Sequence, residues 1–176
     1  LTVLSDDGEK LKKYIADEPS IIHKRYSLDC TFTPLTEVTL LHICAEYNLV
    51  KSARVLIEHG ADINSKAGLD KYGFGGHTPI FHTVNQHQNA SMGMLRMLVD
   101  QKADLHITVK GLIWGKGYEW ETYIPAVNPI SYAMMGLLRQ FQRTEADIYE
   151  IVELLQKAAN GIDYRSPNIP NKYLYK

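Results

Sequence analysis

The chain has 176 residues, of which 45% are hydrophobic and 22% charged, and its formal net charge at pH 7 is -1. This length allows one domain with a sizeable core, and near-neutral charge without a long basic run argues against nucleic acid as the partner. No apolar stretch approaches the ~18 residues of a membrane-spanning helix, so no membrane partner is expected. The protein is expected to be a cytoplasmic monomer. The chain begins at Leu1 without a signal pattern, so a removed signal peptide or a larger parent chain stays open.

The first predicted element is a helix that begins at Gly8 and ends in a proline-containing exit near Ile22. The next segment, TLLHICAEYNLVKSARVLIEHGADIN at 39–64, divides into two apolar blocks at Asn48. The apolar spacing in each block predicts a short helix with one buried face. Gly60 is expected to end the second helix in a left-handed conformation. Helices of about nine residues are marginal alone in water, so this pair must stack on neighbours.

The same pattern recurs twice further along the chain. GHTPIFHTVNQ (76–86) and MLRMLVDQKADLHI (94–107) restate the two blocks, with Lys102 in the place of Gly60. NPISYAMMG (128–136) and IYEIVELLQKAANGID (148–163) form a third, more divergent pair. Such self-similarity is typical of a repeat architecture, in which each unit buries its apolar face against the next.

These units resemble ankyrin repeats, which open with Thr-Pro-Leu-His-x-Ala-Ala and close with Leu-Leu-x-x-Gly-Ala-Asp-x-Asn. TLLHICA (39–45) and LIEHGADIN (56–64) match closely, TPIFHTV (78–84) and LVDQKAD (98–104) match well, and NPISYAM (128–134) matches mainly by position. The resemblance implies an all-α fold, an ankyrin-repeat solenoid of helix-turn-helix units with extended β-hairpin loops.

The implied organisation is one continuous domain. Its parts are a partial N-terminal capping repeat at 1–38, ankyrin repeats at 39–77, 78–127 and 128–165, and a tail at 166–176. The tail is expected to cover the last repeat, because the bare end of a repeat stack is poorly soluble. The last repeat is stretched between its helices by the apolar and basic segment GLLRQFQRTEAD, residues 136–147.

The family pattern gives the signature residues scaffold roles. Thr39 and Thr78 are expected to cap the first helices with their hydroxyls, and Pro79 occupies a first helical turn, where no N–H is needed. In the family, His42 joins loop and helix through hydrogen bonds. The small residues that let neighbouring first helices approach closely are Cys44, Ala45, Thr83 and Ala133.

The loops between the units exceed the family's period of about 33 residues. Thr39 and Thr78 are 39 positions apart, and Thr78 and Asn128 are 50 apart. The excess falls in two hairpins, AGLDKYGFGG (67–76) and TVKGLIWGKGYEWETYIPAV (108–127). The style of these enlarged hairpins suggests a bacterial-type ankyrin protein.

The longer loop predicts a β-hairpin, because β-branched and aromatic residues flank the GKG turn at 115–117. The residues expected on one cross-strand aromatic face are Trp114, Tyr118, Trp120 and Tyr123. Tyr72 and Phe74 in the shorter loop would project beside that face. Because Trp and Tyr dominate interface energetics, exposed recognition residues are predicted here. The alternative is that these rings pack on one another or cover the first helices.

The predicted function is binding of a partner protein in the groove of the stack and on its hairpins, with no cofactor. In ankyrin repeats, contact residues lie in the hairpins and just after the small-residue pair of the first helix. The partner-binding residues carried over to this chain are Glu46, Tyr47, Tyr72, Phe74, Asn85, Gln86, Trp114, Tyr118, Trp120 and Met135. Alternatively, the hairpins close over a small-molecule or peptide pocket with Glu119 and His82 as catalytic groups. A purely structural piece of a larger protein is a third hypothesis.

The histidines do not predict a metal site. His77, His82 and His87 recur every five residues, a spacing that turns neighbouring side chains on a helix about 140° apart. Three such side chains would not converge on one zinc ion, so no metal is expected.

The other reactive residue types are also expected to be scaffold or surface. Cys44 and His42 are two positions apart and do not face each other on a helix. Cys44 and Cys30 are expected to be buried thiols rather than a disulfide. Glu119 and Glu121 would share a strand face beside aromatic rings, where solvated carboxylates are commoner than a glycosidase pair. No phosphate loop or nucleophile motif is present, so no enzyme is predicted.

Overall fold

The computed structural model describes residues 2–29, 32–135 and 143–163. Its helices are α1 (Gly8–Asp17), α2 (Leu40–Glu46), α3 (Val50–Glu58), α4 (Met92–Asp100), α5 (Pro129–Met134) and α6 (Glu145–Asn160). Its strands are β1 (Tyr26–Leu28), β2 (Leu35–Val38), β3 (Val109–Trp114) and β4 (Thr122–Val127). Short 3₁₀ helices lie at Thr2–Ser5, Pro19–Ile22, Pro79–His82 and His87–Asn89. The predicted tail at 166–176, most of the 136–147 segment and Cys30 lie outside the described residues.

The helices form two layers of successive neighbours. The first layer runs from the 3₁₀ helix Thr2–Ser5 through α2 and Pro79–His82 to α5, and each of these helices contacts the next. The second layer is α1, α3, α4 and α6, again in contact in that order. This order follows the predicted units, whose boundaries stay predictions. It also adds a first-layer helix, Thr2–Ser5, to the N-terminal unit, where the sequence analysis recognised only a second helix.

The first helix of the 78–127 unit is a single 3₁₀ turn, Pro79–His82, rather than the predicted α-helix. Two side chains occupy carbonyls that an α-helix would use. The Thr83 hydroxyl donates to the carbonyl of Ile80 at 2.8 Å, and the Gln86 amide donates to the carbonyl of His82 at 2.8 Å. Local bonds of this kind compete with helical backbone bonds, so the helix ends after one turn.

A left-handed Asp or Asn separates the two helices in three consecutive units. Asp6, Asn48 and Asn89 have φ angles of 48°, 54° and 54°. Each side chain also reaches the next unit. Asp6 Oδ1 accepts from the N–H of Ser52 at 2.8 Å, Asn48 donates to the carbonyl of Ala90 at 2.9 Å, and Asn89 donates to that of Asp147 at 2.9 Å. Asp and Asn tolerate this conformation better than other non-glycine residues. Each of these three residues therefore forms the turn between two helices and also the hydrogen bond to the next unit.

Gly60 has a φ of 91°, which confirms the predicted left-handed end of α3. At the matching place after α4, Lys102 adopts a φ of 65° although it carries a side chain. The small residues of the first layer, Cys44, Ala45, Thr83 and Ala133, are fully buried, as predicted. The two largest fully buried side chains among the described residues, Tyr132 and Phe81, belong to the same layer, and their ring centroids are 5.8 Å apart.

The loops form a row of hairpins along one side of the stack. β1 pairs with β2 and β3 with β4, both antiparallel. Backbone hydrogen bonds join these sheets through the shorter loop: Gly68 donates to Thr36 in β2, Gly76 donates to Gly68, and Gly75 donates to Gly111 in β3. The described residues therefore form helix-turn-helix units with β-hairpin loops. The predicted all-α class fits the two helical layers but not the loops, which contain two small antiparallel sheets.

Candidate partner-binding surface

His42 joins α2 to the loop of the next unit, as the resemblance implies. Its Nδ1 accepts from the N–H of Thr39 at 3.2 Å, so its Nε2–H donates to the carbonyl of His77, also at 3.2 Å. Burial lowers the pKa of His42 to about 3, so the ring is neutral. The expected hydroxyl cap at Thr78 is wrong, because its buried Oγ1 has no hydrogen-bond partner among the described residues.

Cys44 belongs to the scaffold. It is a free thiol, fully buried within α2. Burial raises its pKa far above the ordinary value, which suppresses the thiolate that nucleophilic chemistry needs. The prediction of an inert buried thiol is confirmed for Cys44.

Three buried histidines, His42, His77 and His82, lie close together, and they are not the three of the five-residue series. The ring centroids of His77 and His82 are 5.0 Å apart, and that of His42 lies 6.0 Å and 5.7 Å from them. The helical-angle argument does not apply to His77 and His82, because His77 precedes the 3₁₀ turn Pro79–His82, whereas His87 is exposed on a separate 3₁₀ turn and does not join them. Within the described ranges, no group of three or more His, Cys, Asp or Glu side chains has an arrangement suited to a metal ion.

Glu46 is turned toward this histidine cluster. Its Oε2 accepts from Nδ1 of His82 at 2.8 Å, and its side chain is 11% exposed while that of His82 is fully buried. A carboxylate engaged and covered in this way offers little surface to a partner. Sequence position alone could not reveal the pairing, because the two residues are 36 positions apart.

The other first-layer positions carried over from the family differ in exposure. Tyr47 is 51% exposed at the end of α2. Gln86 is half-buried and bonds to the carbonyl of His82, and the amide atoms of Asn85 are buried. Met135 is half-buried and packs against the core. Of these four residues, Tyr47 offers the most side-chain surface.

The hairpin aromatic residues form two connected groups with exposed rings. The first, called the tip cluster below, consists of Phe32, Trp114, Tyr118 and Trp120, with ring centroids 5.1–6.2 Å apart. The second, called the loop cluster, consists of Tyr72, Phe74 and Tyr123, with centroids 4.8–6.2 Å apart. The rings pack on one another, yet Phe32, Tyr72, Tyr118, Trp120 and Tyr123 remain 43–60% exposed. Both of the sequence-based alternatives, mutual packing and exposure, therefore apply.

The single cross-strand aromatic face is wrong. In the β3–β4 register, Trp114 lies opposite Thr122 and Tyr123 lies opposite Ile113. Adjacent pairs point to opposite faces of a hairpin, so Tyr123 cannot share the face of Trp114. Tyr123 packs on Phe74 of the shorter loop instead, at 4.8 Å between centroids.

The turn of the longer hairpin spans residues 115–121 rather than the GKG tripeptide. Trp120 lies directly over Gly115, where an added Cβ would be 2.1 Å from the indole ring. Glu121 Oε2 accepts from the N–H of Gly117 at 2.8 Å. Glu119 and Glu121 therefore lie in the turn, and the predicted shared strand face is wrong.

A cleft of about 680 Å³ lies between the β1–β2 hairpin and the two enlarged loops. Its apolar lining includes Leu28, Leu35, Leu112 and Ile113, with Phe74 and Tyr118 as aromatic walls. Its polar lining includes Asp29, Asp70, Lys116 and His77. Neither Glu119 nor His82 lines the cleft, so the catalytic pairing of these two residues is wrong.

Comparison with known families supplies the class of the scaffold. The family model named Ankyrin repeat matches residues 37–67, which span the end of β2, the helix pair α2–α3 and the start of the shorter loop. Residues 37–67 are therefore similar to an ankyrin repeat. Ankyrin repeats are interaction modules that generally mediate protein–protein binding. No curated protein matches the chain.

Several contacts of the candidate surface carry no signal in the sequence. Phe32 joins the tip cluster from the β1–β2 hairpin, and Asp29 of the same hairpin lines the cleft. No motif marks either residue; the row of hairpins brings them there. No described helix has the length and apolar character to cross a membrane.

Proposed function

We propose that the protein is a protein–protein interaction module whose partner binds on the hairpin row, chiefly through the tip cluster and the loop cluster. The observation that carries this proposal is the exposure of five aromatic rings, 43–60% each, on three neighbouring hairpins. Monomeric proteins rarely expose contiguous apolar surface without a binding role. Large, stiff aromatic side chains also contribute much of the energy of protein interfaces.

The partner-binding residues have different roles within this proposal. Tyr72, Phe74, Tyr118 and Trp120 contribute directly, since their rings border the cleft or are exposed beside it. Trp114 supports them: its indole N–H is buried, and its ring packs between Phe32 and Trp120. Tyr47 extends the surface onto the helical stack. Glu46, Asn85, Gln86 and Met135 define the floor of the neighbouring groove and contribute less, because they are largely covered.

The proposal is tested with Tyr72 and Tyr118, whose side chains are 60% and 51% exposed. A Tyr72→Ser/Tyr118→Ser variant removes one ring from each cluster, and Tyr14→Ser removes a ring of similar exposure from α1, outside the hairpins. Tagged wild type and both variants are used to capture proteins from the lysate of the source organism. We expect a partner to be retained by wild type and Tyr14→Ser and lost by the hairpin variant, with equal melting temperatures. Retention by all three, or loss by both variants, contradicts the proposal.

A further inference from the structure

We infer that the cleft between the hairpins receives an extended segment of the partner that carries a lysine or arginine side chain between apolar ones. This inference rests on the proposed function and specifies its ligand. It follows from the shape, the charges and the walls of the cleft.

The cleft has the size of a recognition pocket rather than of a packing defect. Its volume of about 680 Å³ lies within the range of roughly 300–1,000 Å³ that ligand pockets occupy. Leucine and isoleucine side chains line much of it, which suits apolar side chains of an extended chain. The exposed rings of Tyr72 and Trp120 lie beyond the cleft lining, so a polypeptide longer than the cleft gains further contacts.

The fixed charge of the lining favours a cation. Two carboxylates, Asp29 and Asp70, face one ammonium group, Lys116, and none of the three forms an ion pair within the described part of the chain. The remaining titratable lining residue, His77, is neutral because burial lowers its pKa well below the ordinary value. Lys116 also helps to lower the pKa of Asp70 through its charge, so the lining keeps one net negative charge that favours a partner cation, and electrostatic complementarity of this kind selects among partners.

Asp70 is held as an ionised, oriented acceptor. Its Oδ1 accepts from the N–H groups of Tyr72 at 2.8 Å and Phe74 at 2.9 Å. These bonds, foremost that of Phe74, lower the pKa of Asp70. They orient the carboxyl group through Oδ1, and Oδ2 takes no part in either bond.

The aromatic walls also suit a cation. The ammonium group of Lys110 lies 5.2 Å from the centroid of the Phe74 ring, and it donates to the carbonyl of Tyr72 at 2.8 Å. The negative face of the π system stabilises this arrangement, and because Lys110 already occupies the Phe74 ring, a partner cation would use a different ring of the cleft. Tyr118 provides a second ring on the cleft lining.

The test uses charge variants that keep the side-chain shapes. In Asp29→Asn/Asp70→Asn, the amide oxygen at position 70 can still accept from the same N–H groups. Lys116→Gln removes the competing ammonium and should act in the opposite direction. Asp17→Asn/Asp100→Asn is the matched control, because it removes two exposed carboxylates at the ends of α1 and α4.

A phage-displayed library of random short peptides is selected on the full chain, and the most enriched peptide is synthesised and measured by fluorescence anisotropy. We expect enriched peptides to carry lysine or arginine between apolar residues. The aspartate variant should weaken binding by about fivefold or more, Lys116→Gln should strengthen it by about twofold, and the control should leave it unchanged. Added salt should weaken binding of the wild type.

Enrichment of peptides without a basic residue, absence of enrichment, or equal affinity for wild type and the aspartate variant would overturn the inference. These results leave the proposed function standing if the Tyr72→Ser/Tyr118→Ser variant still loses its captured partner. The opposite outcome is also distinguishable. If basic peptides bind the cleft through the aspartates while the Tyr72→Ser/Tyr118→Ser variant still captures the partner, the inference about the cleft is supported and the aromatic surface is not the main binding site.

Discussion

His42 and His77 lie 35 positions apart and are joined by one hydrogen bond, from Nε2–H of His42 to the backbone carbonyl of His77 at 3.2 Å. The His77 ring in turn donates from Nε2 to the carbonyl of Pro34 at 2.8 Å. The two imidazoles therefore link α2, the β1–β2 hairpin and the loop before Pro79–His82. Both serve as neutral rings within the protein interior.

This neutrality predicts a loss of stability on mild acidification. Burial lowers the pKa of His42 to about 3 and that of His77 well below its ordinary value of 6.5. Below pH 6.5 the unfolded chain binds a proton at each ring and the native state does not. The free energy of unfolding should therefore be largest above pH 6.5 and fall as the pH drops toward 3, by about 1.4 kcal/mol per pH unit for each ring.

The measurement is urea unfolding at about pH 7.5 and about pH 5, combined with imidazole ¹³C shifts. The His42 and His77 shifts should remain those of neutral rings while the protein is folded. Equal stability at both pH values, or protonated shifts in the folded state at about pH 5, would contradict this prediction.

Arg143 is predicted to be the most sensitive basic residue. Its buried guanidinium donates to the carbonyls of Val84, Ala133 and Met135 at 2.7–3.1 Å. Burial lowers its pKa to about 10, which still leaves it charged at neutral pH. Arg143→Met should lower the free energy of unfolding by about 2–4 kcal/mol, because three carbonyls lose their donor.

The control for Arg143 is Arg96→Met. Arg96 forms an exposed ion pair with Glu150 at 3.4 Å, and pairs of this kind contribute about 0.5 kcal/mol. Urea unfolding of both variants gives the comparison. An equal loss in the free energy of unfolding for both variants would mean that the buried hydrogen bonds of Arg143 add no more stability than an exposed ion pair.

Gly60 and Lys102 occupy equivalent positions in two successive units, so substitutions at the two positions should change stability in opposite directions. Both residues are left-handed after a second-layer helix, and an added Cβ at Gly60 would meet no atom within 4 Å. Gly60→Ala should therefore destabilise through backbone strain alone, by about 1 kcal/mol. Lys102→Gly should stabilise by about 0.5 kcal/mol, since relief of strain exceeds the added freedom of the unfolded chain. Thermal unfolding measures both changes in stability. If both substitutions destabilise the protein, or both stabilise it, the two positions do not share the left-handed conformation.

Gly115 is predicted to hold the shape of the hairpin turn. A Cβ there would lie 2.1 Å from the Trp120 ring, so Gly115→Ala must displace the indole. We expect weaker near-ultraviolet circular dichroism from the Trp114–Trp120 contact and a loss of about 1–3 kcal/mol in the free energy of unfolding. Gly117→Ala is the control, because its φ is 84° but no atom lies within 4 Å of the added carbon. Gly117→Ala should preserve the spectrum; an unchanged spectrum for Gly115→Ala would count against the packing of Trp120.

The helical stack was predictable where local signals coincide. In residues 39–64, apolar periodicity, a break at Asn48 and a stop at Gly60 act together, and α2 and α3 form as expected. The first helix of the next unit has the same signature but competing side chains. Thr83 and Gln86 bond to backbone carbonyls there, and this competition decides between an α-helix and a single turn.

The surface was less predictable because its contacts join distant segments. The pairing of Glu46 with His82 removes one expected contact residue, and Phe32 adds an aromatic ring that no motif marked. Arg143 was overlooked because its partners are backbone carbonyls, which carry no residue-specific signal. Family resemblance predicts the scaffold, whereas these long-range pairings determine which side chains remain available.

The left-handed residues Asp6, Asn48 and Asn89 have a further consequence for how such a chain changes over time. Each one bonds to the following unit on the helical side, so the spacing of neighbouring units does not depend on how many residues the intervening loop contains. Loops can then lengthen, shorten or be exchanged while the helices stay in register. The helical frame is thus separate from the hairpin edge, and hairpins of a different sequence are expected to change the surface of that edge without refolding the frame.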